Sequence, residues 1–443
     1  MRRLPCFDIP QGRRYIPVHP HIHREKAPPM PRFDDYTGEN LIPPYRILDL
    51  TDRRAAFCAR LLADYGADVV KVEPPGGDPS RRLGPYPADS PNTERSLDFM
   101  FYNTNKLSIT LDLDSESGRA LFRRLAADAD VIIESYDRHY LYDRGIGFDA
   151  LRADNPGLIM ASVTPFGCTG EWADYRGDDL VVMAASGYMQ ITGEPDEPPV
   201  RQGNEHSHYP AAQYAAVGIL AALYHRDFGD GTGQHIDVSS QEALITYYTD
   251  AHPALLWRKL GQNVTRVGTN STLVIPLGAY PCKDGWIAAG VITPREWDSL
   301  AEWIHEVTGN DEVLSETYRG GNQDRAEHID IITALFLEFA ENFTVQELFH
   351  EGQRRNLVFL PVNEVADLLA DPQLAESGFW YDIEHDDPAV GTVKYPLGIF
   401  HSEEVQARRH PAPILGADNA AVYQGELGLT ADELAALKAG GVI

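Results

Sequence analysis

The chain has 443 residues, which is enough for two domains and a large core, and its hydrophobic content of 43% is typical of globular proteins. Its 66 Asp and Glu residues outnumber its 38 Lys and Arg residues, so the formal charge is −28 at pH 7. This charge argues against a nucleic-acid face and against docking on anionic lipid. The longest mostly apolar stretch, residues 215–223, is too short to cross a bilayer, and the N-terminus lacks the apolar core of a signal peptide. We therefore expect a cytoplasmic protein.

Cysteine usage predicts free thiols. The four cysteines lie far apart in the chain and form no CxxC pair: Cys6, Cys58, Cys168 and Cys282. Widely spaced cysteines of this kind fit a reducing compartment and give no support to a disulfide framework or a zinc site.

Residues 1–45 are rich in Pro, Arg and His and have no periodicity, so we interpret them as an extended N-terminal arm. His19, His21 and His23 within it are a candidate metal cluster. No acidic or cysteine partner is spaced to complete a metal site. We therefore expect a polar arm and no bound metal.

The region after the arm predicts a strand, a helix and a second strand. Residues 47–50 and 69–72 are short apolar runs, and the apolar residues between them recur at helical spacing up to Gly66, a residue favoured just after a helix end. A strand that returns in parallel after one helix is the repeating unit of a doubly wound α/β sheet. Ligands of such sheets bind at the carboxyl ends of strands, which makes residues 52–54 and 73–82 candidates.

Further strands and helices alternate along the next part of the chain. The predicted strands are 106–112, 130–134, 158–163 and 234–238, and the predicted helices are 118–127, 179–190 and 211–225. Such alternation favours a largely parallel sheet, so the predicted fold class is α/β with a doubly wound large domain.

From about residue 265 the pattern changes to that of a smaller α+β domain. A hairpin turn is predicted at residues 281–285, and α/β character returns at residues 357–362. Amphipathic helices are predicted at 294–307 and 326–341, and a capped C-terminal helix is predicted at 430–437. We therefore assign residues 46–250 and 355–443 to the large domain, and residues 265–340 to the small one.

Several common catalytic motifs are absent from the sequence. No GxGxxG follows a strand, and neither a Walker A sequence nor HExxH occurs. The nearest approach to a nucleophile elbow, Ala185-Ser186-Gly187, lacks the first glycine of GxSxG.

A set of longer runs carries a family resemblance. They include LLADYGADVVKVEPPGGDPSR, NTNKLSITLDLDSESGR, ADVIIES, ASGYMQITGEPDEPPV, GILAALYHR and GTGQHIDVSSQEALI. In order and spacing they resemble the family III CoA-transferases of the formyl-CoA transferase and carnitine CoA-transferase type, which also include α-methylacyl-CoA racemases. The resemblance extends from about Arg46 to the C-terminus. It implies a large domain formed by both chain ends, a small domain between them, and a dimer of interlocked rings. It also implies coenzyme A and acyl-CoA as substrates, with no permanently bound cofactor.

The resemblance also implies where the coenzyme binds. Carried over motif by motif, the CoA-binding positions are Arg54, Ala55, Leu111, Ser135, Tyr136, Arg144, Arg176 and Asp179. Two of these, Arg144 and Arg176, are cations able to pair with the phosphates of the coenzyme.

The reaction centre departs from the family pattern. The family's transferases carry an aspartate ahead of the GILAAL helix, and its carboxylate attacks the thioester to give a mixed anhydride and then an aspartyl-CoA thioester. That position is His208 here, and residues 203–210 (GNEHSHYP) contain no aspartate. In addition, the small-residue turn that usually ends in Ala-Gly-Pro is replaced by residues 53–57 (RRAAF).

Three interpretations of this centre remain open. In the first, the chain is a non-catalytic partner of a catalytic homologue, as in two-subunit aromatic-succinate CoA-transferases. In the second, Glu205 is the nucleophile, although it lies three residues early. In the third, His208 acts as a base or nucleophile in altered chemistry. We favour the first, because two changes at the reaction centre accompany a retained scaffold.

Two other functions are alternatives. A racemase would need a histidine before the aspartate that follows the FGCTG turn, together with a later carboxylate. This chain has Asp178-Asp179 in the first place and His208 in the second, which is an inverted pair. The other alternative is a CoA-binding scaffold without turnover. We expect acyl specificity to depend on the small domain and on residues 268–278, which replace the family's glycine-rich flap. As partners we expect an identical chain or a catalytic homologue.

Overall fold

The computed structural model describes residues 41–87, 90–249, 252–271, 274–396, 400 and 407–443. All of these residues belong to one compact unit. The three arm histidines of the candidate metal cluster, His19, His21 and His23, lie outside the described residues.

One parallel sheet organises the first half of the chain. Its strands are β1 (Arg46–Leu50), β2 (Asp68–Glu73), β3 (Leu107–Thr110), β4 (Val131–Glu134), β5 (Ile159–Thr164) and β6 (His235–Ser239). Their order across the sheet is β3-β2-β1-β4-β5-β6. Every strand predicted for this region is present within two residues of its predicted bounds, and the α/β class is confirmed. Strands β2 to β5 are almost wholly buried, as expected for a parallel sheet covered on both faces, whereas β6 at the sheet edge is partly exposed.

The centre of the sheet contains a topological switch point. β1 and β4 are neighbours there, with Ile47 opposite Val131. From β1 the chain continues to β2 on one side, whereas from β4 it continues to β5 on the other. The crevice in which ligands of doubly wound sheets bind lies beside such a point, at the carboxyl edge of the sheet and between the loops that follow β1 and β4.

Helices connect and cover these strands. They are α1 (Ala56–Asp64), α2 (Leu97–Tyr102), α3 (Glu116–Asp128), α4 (Tyr140–Asp143), α5 (Phe148–Asp154), α6 (Asp179–Ala185), α7 (His208–Phe228), α8 (Ser240–Leu244) and α9 (His252–Leu260). One hydrophobic core joins α1 and α7 to one face of the sheet. On the opposite face, Phe148 of α5 stacks on His235 of β6 with ring centroids 5.4 Å apart.

Two helix boundaries differ from the sequence prediction. Helix α7 begins three residues before the predicted start at 211, because Pro210 falls in its first turn, where a missing N–H costs nothing. Helix α6 ends at Ala185 and not at 190, because the chain turns at Gly187, whose φ of +80° suits glycine.

A second hydrophobic core forms around an antiparallel sheet. This sheet contains β7 (Leu277–Pro281), β8 (Trp286–Gly290) and β9 (Val358–Pro361). It packs with α10 (Pro294–Thr308), α11 (Asn322–Ala326), α12 (Ile329–Ala340) and α13 (Val345–Arg354). Fully buried Trp297, Phe336 and Phe359 lie in this core, and each such side chain stabilises the fold by about 1.5–3 kcal/mol.

The strand β9 corrects one sequence-based expectation. Residues 357–362 were expected to mark the return to the large domain, but β9 pairs with β8 and so completes the small sheet. A short apolar strand does not reveal its partner, because pairing depends on which unpaired edge the fold brings near it.

The last part of the chain contains a hairpin and short helices. These are α14 (Val365–Ala370), α15 (Pro372–Glu376), β10 (Trp380–Glu384), β11 (Thr392–Pro396) and α16 (Ala431–Ala439). Helix α16 begins at a capping box in which Thr430 and Glu433 each accept a backbone N–H of the other's residue.

The C-terminal segment returns to the edge of the large sheet. Asp418 Oδ2 accepts the N–H of Ser108 and Asn419 Oδ1 accepts the N–H of Thr110, each at 2.8 Å. Tyr423 Oη donates to the carbonyl of Thr110, also at 2.8 Å. The outer backbone groups of β3 are therefore satisfied by residues more than 300 positions away in sequence, which closes this edge of the sheet.

Candidate functional site

The loops after β1 and β4 are tied together at the switch point. Ser135 Oγ donates to Asp52 Oδ1 at 2.9 Å and accepts the N–H of Asp52 at 2.9 Å. Arg54 donates from Nη2 to the carbonyl of Ser135 at 2.5 Å and from Nε to Asp52 Oδ1 at 3.0 Å. Burial opposes the charge of Asp52, but the hydrogen bonds from Arg54 outweigh it and hold the pKa of Asp52 below its usual value. Two predicted CoA-binding residues, Arg54 and Ser135, thus lie together in the crevice.

A stack of three planar groups stands beside these loops. The rings of Tyr136 and Tyr140 stack with centroids 4.2 Å apart, and the guanidinium of Arg144 lies 3.6 Å from the Tyr140 ring centre. Arg144 is also paired with Asp114 at the surface. An adenine ring or a phosphate is the kind of group that aromatic faces and an arginine at a sheet edge can bind.

The other predicted CoA-binding residues are more scattered. Ala55 and Leu111 are buried, and Leu111 donates its N–H to the carbonyl of Glu73 at 2.7 Å. Arg176 is exposed in the chain before α6. Asp179 is buried at the start of α6, where its Oδ1 accepts both the N–H and the hydroxyl of Ser207 at 2.9 Å.

His208 occupies the first turn of α7 and is held between two carboxylates. Its Nε2 lies 3.3 Å from Asp178 Oδ1 and its Nδ1 lies 3.0 Å from Glu205 Oε2. The residue is only 8% exposed. Ser207, bonded to Asp179, anchors the start of the helix beside it.

The carboxylates keep His208 protonated. Burial disfavours its charge, but the hydrogen bond with Asp178 and the contact with Glu205 outweigh burial and raise the pKa of His208 to about 9. The hydrogen bond from His208 in turn lowers the pKa of Asp178 to about 2. At neutral pH the group is therefore an imidazolium ion, which has no lone pair with which to act as a base or nucleophile.

Arg53 completes a chain of charges around His208. Its Nε lies 2.8 Å from Glu205 Oε2, and its Nη2 lies 3.1 Å from Asp98 Oδ1. Burial raises the pKa of Asp98, which Arg53 counteracts only in part. Arg53 stands in the segment where the family pattern has small residues, so a guanidinium now lies in front of α7.

Aromatic residues fill the other side of the same region. Phe57 packs edge-to-face against Tyr209, with ring centroids 5.4 Å apart, and against Tyr102 at 6.3 Å. The hydroxyls of Tyr102 and Tyr209 are hydrogen-bonded at 2.7 Å. The residues that replace the small-residue turn are thus integrated into a packed and charged cluster.

A comparison with protein-family profiles decides the relationship suggested by the sequence. The profile described as CoA-transferase family III matches residues 45–419. The chain belongs to CoA-transferase family III. Members of this family act on CoA thioesters.

Individual family III relatives cover nearly the whole chain. It is 34% identical over 376 residues to the succinyl-CoA:(R)-benzylsuccinate CoA-transferase subunit BbsE of Thauera aromatica, which covers 82% of this chain and 88% of the relative. It is 30% identical over 433 residues to the succinyl-CoA–L-malate CoA-transferase alpha subunit of Chloroflexus aurantiacus, with 96% and 98% covered.

Solved structures of the family support the fold. A CaiB/BaiF family protein from Brucella suis superposes with a TM-score of 0.77 at 27% identity, which covers 87% of this chain and 99% of that one. Among the described residues no helix is long and apolar enough to cross a membrane. The same residues contain no cluster of three His, Cys, Asp or Glu side chains arranged to hold a metal ion.

Sequence reasoning did not find a buried ionic layer beneath the family III crevice. Lys71 of β2 donates to the carbonyl of Thr51 at 2.6 Å and lies 3.2 Å from Asp78 Oδ2. Arg81 donates two hydrogen bonds to the carboxylate of Glu73, from Nε at 2.6 Å and from Nη2 at 2.8 Å. The sequence does contain a signal for this layer: charged residues occur inside an otherwise apolar strand, as in DVVKVE. Because a buried charge requires a partner, such residues indicate buried ion pairs.

Glu134 was also missed as a titratable group of the crevice. It ends β4, and its Oε2 accepts the N–H of Tyr136 at 2.7 Å. Burial raises the pKa of Glu134 to about 7, although hydrogen bonds from Ser162 and from Tyr136 favour the charged form. The loop that carries two predicted CoA-binding residues therefore rests on a carboxyl group that titrates near neutral pH.

Proposed function

We propose that this chain takes part in CoA transfer between an acyl-CoA and a carboxylic acid, as the subunit of a heteromer that lacks the nucleophilic aspartate. The net reaction exchanges a thioester for a carboxylate: the donor acid is released and the acceptor acid receives the CoA sulfur, with no redox change. The attack on the thioester would come from the aspartate of a homologous subunit. Family membership supports the reaction class, and the state of His208 supports the subunit role.

The observation that carries the subunit role is the imidazolium between two carboxylates. The family cycle needs a carboxylate that can form an anhydride and then a thioester. His208 cannot form either adduct, and its raised pKa keeps it charged at neutral pH. Both ring nitrogens lie at ion-pair distance from a carboxylate, Nε2 from Asp178 and Nδ1 from Glu205.

The alternatives fit the geometry less well. The Oε2 atom of Glu205 is shared by Arg53 and His208, and two cations at this distance lower the nucleophilicity of a carboxylate. A racemase needs its acid and base on opposite sides of the acyl α-carbon. Asp178 and His208 instead lie 3.3 Å apart in a direct ion pair, which leaves no room for a carbon between them.

The coenzyme itself would bind in the crevice at the switch point. Arg54 and Ser135 line this crevice, and the Tyr136–Tyr140–Arg144 stack lies at its rim. We propose the eight positions carried over from the family as the CoA site, of which Arg176 is exposed enough to reach a phosphate. The interlocked-ring arrangement of family dimers is the proposed mode of assembly with the catalytic subunit.

The relatives' names support a proposal for the substrates. Both of the relatives described above are named as subunits that use succinyl-CoA, with benzylsuccinate or malate as the other acid. Another relative, 31% identical, is named succinate–glutarate CoA-transferase. We therefore propose succinyl-CoA as the donor and a dicarboxylic acid as the acceptor.

Purification of the chain alone and with a homologue that carries the aspartate tests this function. Transfer of CoA from succinyl-CoA to labelled acids is measured by chromatography, and hydroxylamine is used to trap an enzyme-bound acyl or CoA adduct. We expect no turnover and no adduct on the lone chain, and activity with an adduct on the homologue in the pair.

Three results would overturn parts of the proposal. Activity of the lone chain that is lost in Glu205→Ala, but kept in the exposed control Glu197→Ala, would make Glu205 the nucleophile. Loss in His208→Ala instead would indicate altered imidazole chemistry. CoA binding without turnover in any assembly would make the chain a scaffold.

A further inference from the structure

Three buried polar atoms converge on one point of the reaction centre without satisfying one another. They are Arg53 Nε, His208 Nδ1 and Glu205 Oε2. The nitrogens lie 2.8 Å and 3.0 Å from the oxygen, which are ion-pair distances. Within the described residues, however, none of the three atoms has an aligned hydrogen bond. A buried polar atom without a hydrogen bond costs free energy. A ligand that made aligned hydrogen bonds with these donors would recover that free energy.

The two donors have the spacing and chemistry of a carboxylate-binding site. Arg53 and His208 approach the same carboxylate oxygen from different elements, the loop after β1 and the start of α7. Each also keeps a second carboxylate of its own, Asp98 for Arg53 and Asp178 for His208. If Glu205 moved away, the cations Arg53 and His208 would each keep one carboxylate partner. The position that the Glu205 carboxylate now occupies between them could then accept the carboxylate of a ligand.

The position of Glu205 would allow its side chain to leave the two donors. It lies in the loop before α7, next to Asn204, and its side chain is 23% exposed, so rotation toward solvent would release both donors. From its position in this loop, its Oε2 makes no aligned hydrogen bond with either donor. An untethered carboxylate has no such restriction and can align both of its oxygens.

We propose that Arg53 and His208 form a receptor for one carboxylate of a small dicarboxylic acid, and that Glu205 is a built-in carboxylate which this ligand displaces. The choice of a dicarboxylate rests on the proposed function, whereas the receptor rests on the geometry alone. The raised pKa of His208 supports the receptor, because the imidazole keeps its charge and both N–H donors at neutral pH.

Equilibrium binding of succinate to the full chain, without CoA or any partner subunit, tests the receptor. Isothermal titration calorimetry is run at pH 7 with succinate and with neutral succinamide as the control ligand. We expect succinate to bind and succinamide not to bind. Glu205→Gln removes the internal competitor while keeping the side-chain shape, so we expect succinate to bind roughly tenfold more tightly to this variant.

Arginine variants locate the binding. We expect Arg53→Gln to weaken succinate binding at least about tenfold, since one charged donor is lost. The matched control is Arg355→Gln, which removes an arginine of similar exposure from its ion pairs with Glu306 and Glu351 against the second hydrophobic core and should leave the affinity unchanged. Circular dichroism and thermal unfolding of each variant show whether it is folded.

The outcomes separate the receptor from the transfer reaction. No succinate binding by either the wild type or folded Glu205→Gln would overturn the receptor, as would equal affinity of the wild type and Arg53→Gln. Either result leaves the CoA-transfer assay of the two-subunit enzyme unaffected. Conversely, succinate binding that follows the expected order stands even if no assembly of this chain transfers CoA.

Discussion

Lys106 Nζ lies 2.8 Å from Asp49 Oδ2, and both side chains are fully excluded from solvent. Lys106 also donates to the carbonyl of Ala56 at 3.0 Å and to Asn103 Oδ1 at 2.8 Å, so all three of its protons are used. Burial lowers the pKa of Lys106 to about 8, although Asp49 favours its charge. The pair joins the start of β3 to β1 and α1.

Loss of one member of this pair should be costly. Lys106→Met leaves the buried carboxylate of Asp49 with Lys71 and Thr51 but without its nearest cation, so we expect a loss of about 3 kcal/mol in the free energy of unfolding. Urea unfolding followed by circular dichroism measures it. The control is Lys438→Met on exposed α16, and a loss no larger than that of the control would contradict the assignment.

The state of His208 predicts a pH-dependent stability. Its folded-state pKa of about 9 lies above the ordinary value of 6.5, so the folded protein holds a proton that the unfolded chain releases between these values. The stabilisation is therefore complete below pH 6.5 and is lost as the pH rises through 9. The charged groups that face the ring are Asp178, Glu205, Arg53 and Asp98.

His208→Gln removes this dependence. We expect the variant to be less stable than the wild type by about 2 kcal/mol at pH 6 and to approach it at pH 9.5, since the wild type has then lost its charged hydrogen bonds. Urea unfolding at several pH values provides the comparison. A constant difference at every pH would mean that the ring is held by packing and not by charge.

Glu134 predicts an effect of the opposite kind, a stabilising substitution. Its pKa of about 7 lies above the ordinary 4.5, so its contribution to stability is complete below pH 4.5 and is lost as the pH rises through 7. Glu134→Gln keeps an acceptor for the N–H of Tyr136 and cannot ionise. We expect its melting temperature to exceed that of the wild type by about 2–4 °C at pH 8 and to match it at pH 5. A lower melting temperature at both pH values would refute this explanation.

The C-terminal closure of β3 is testable with a single carboxylate. Asp418→Ala leaves the N–H of Ser108 without its acceptor, and an unsatisfied backbone group of this kind costs about 1–3 kcal/mol. Chemical unfolding should give a loss in this range. Asp128→Ala, at the exposed end of α3, is the control, and similar values for the two variants would mean that the edge contact contributes little.

Local patterns predicted the elements of the large sheet and most of its helices. Runs such as residues 69–72 and 158–163 are largely apolar because a parallel strand is covered on both faces, and this requirement is visible in any short window. The same windows could not assign β9, because its partner β8 lies about 70 residues earlier in the chain.

At the candidate site the sequence indicated which residues to consider, but not their contacts or protonation. It identified His208 where an aspartate was expected, and it named Glu205, Arg54 and Ser135 as candidates. Nothing in the local sequence indicated that Arg53 would reach Glu205, or that Asp178 would reach His208. Both contacts join segments far apart in the chain.

What the sequence by itself determined is the order of strands and helices, the family, and the absence of a carboxylate at position 208. These depend on short windows of residue type and spacing. Only the tertiary structure decided that His208 is a charged group between two carboxylates and that Arg53 and Glu205 complete its surroundings. The physical reason is that protonation depends on burial and on charges within a few ångströms, and folding brings those charges from four separate segments of the chain.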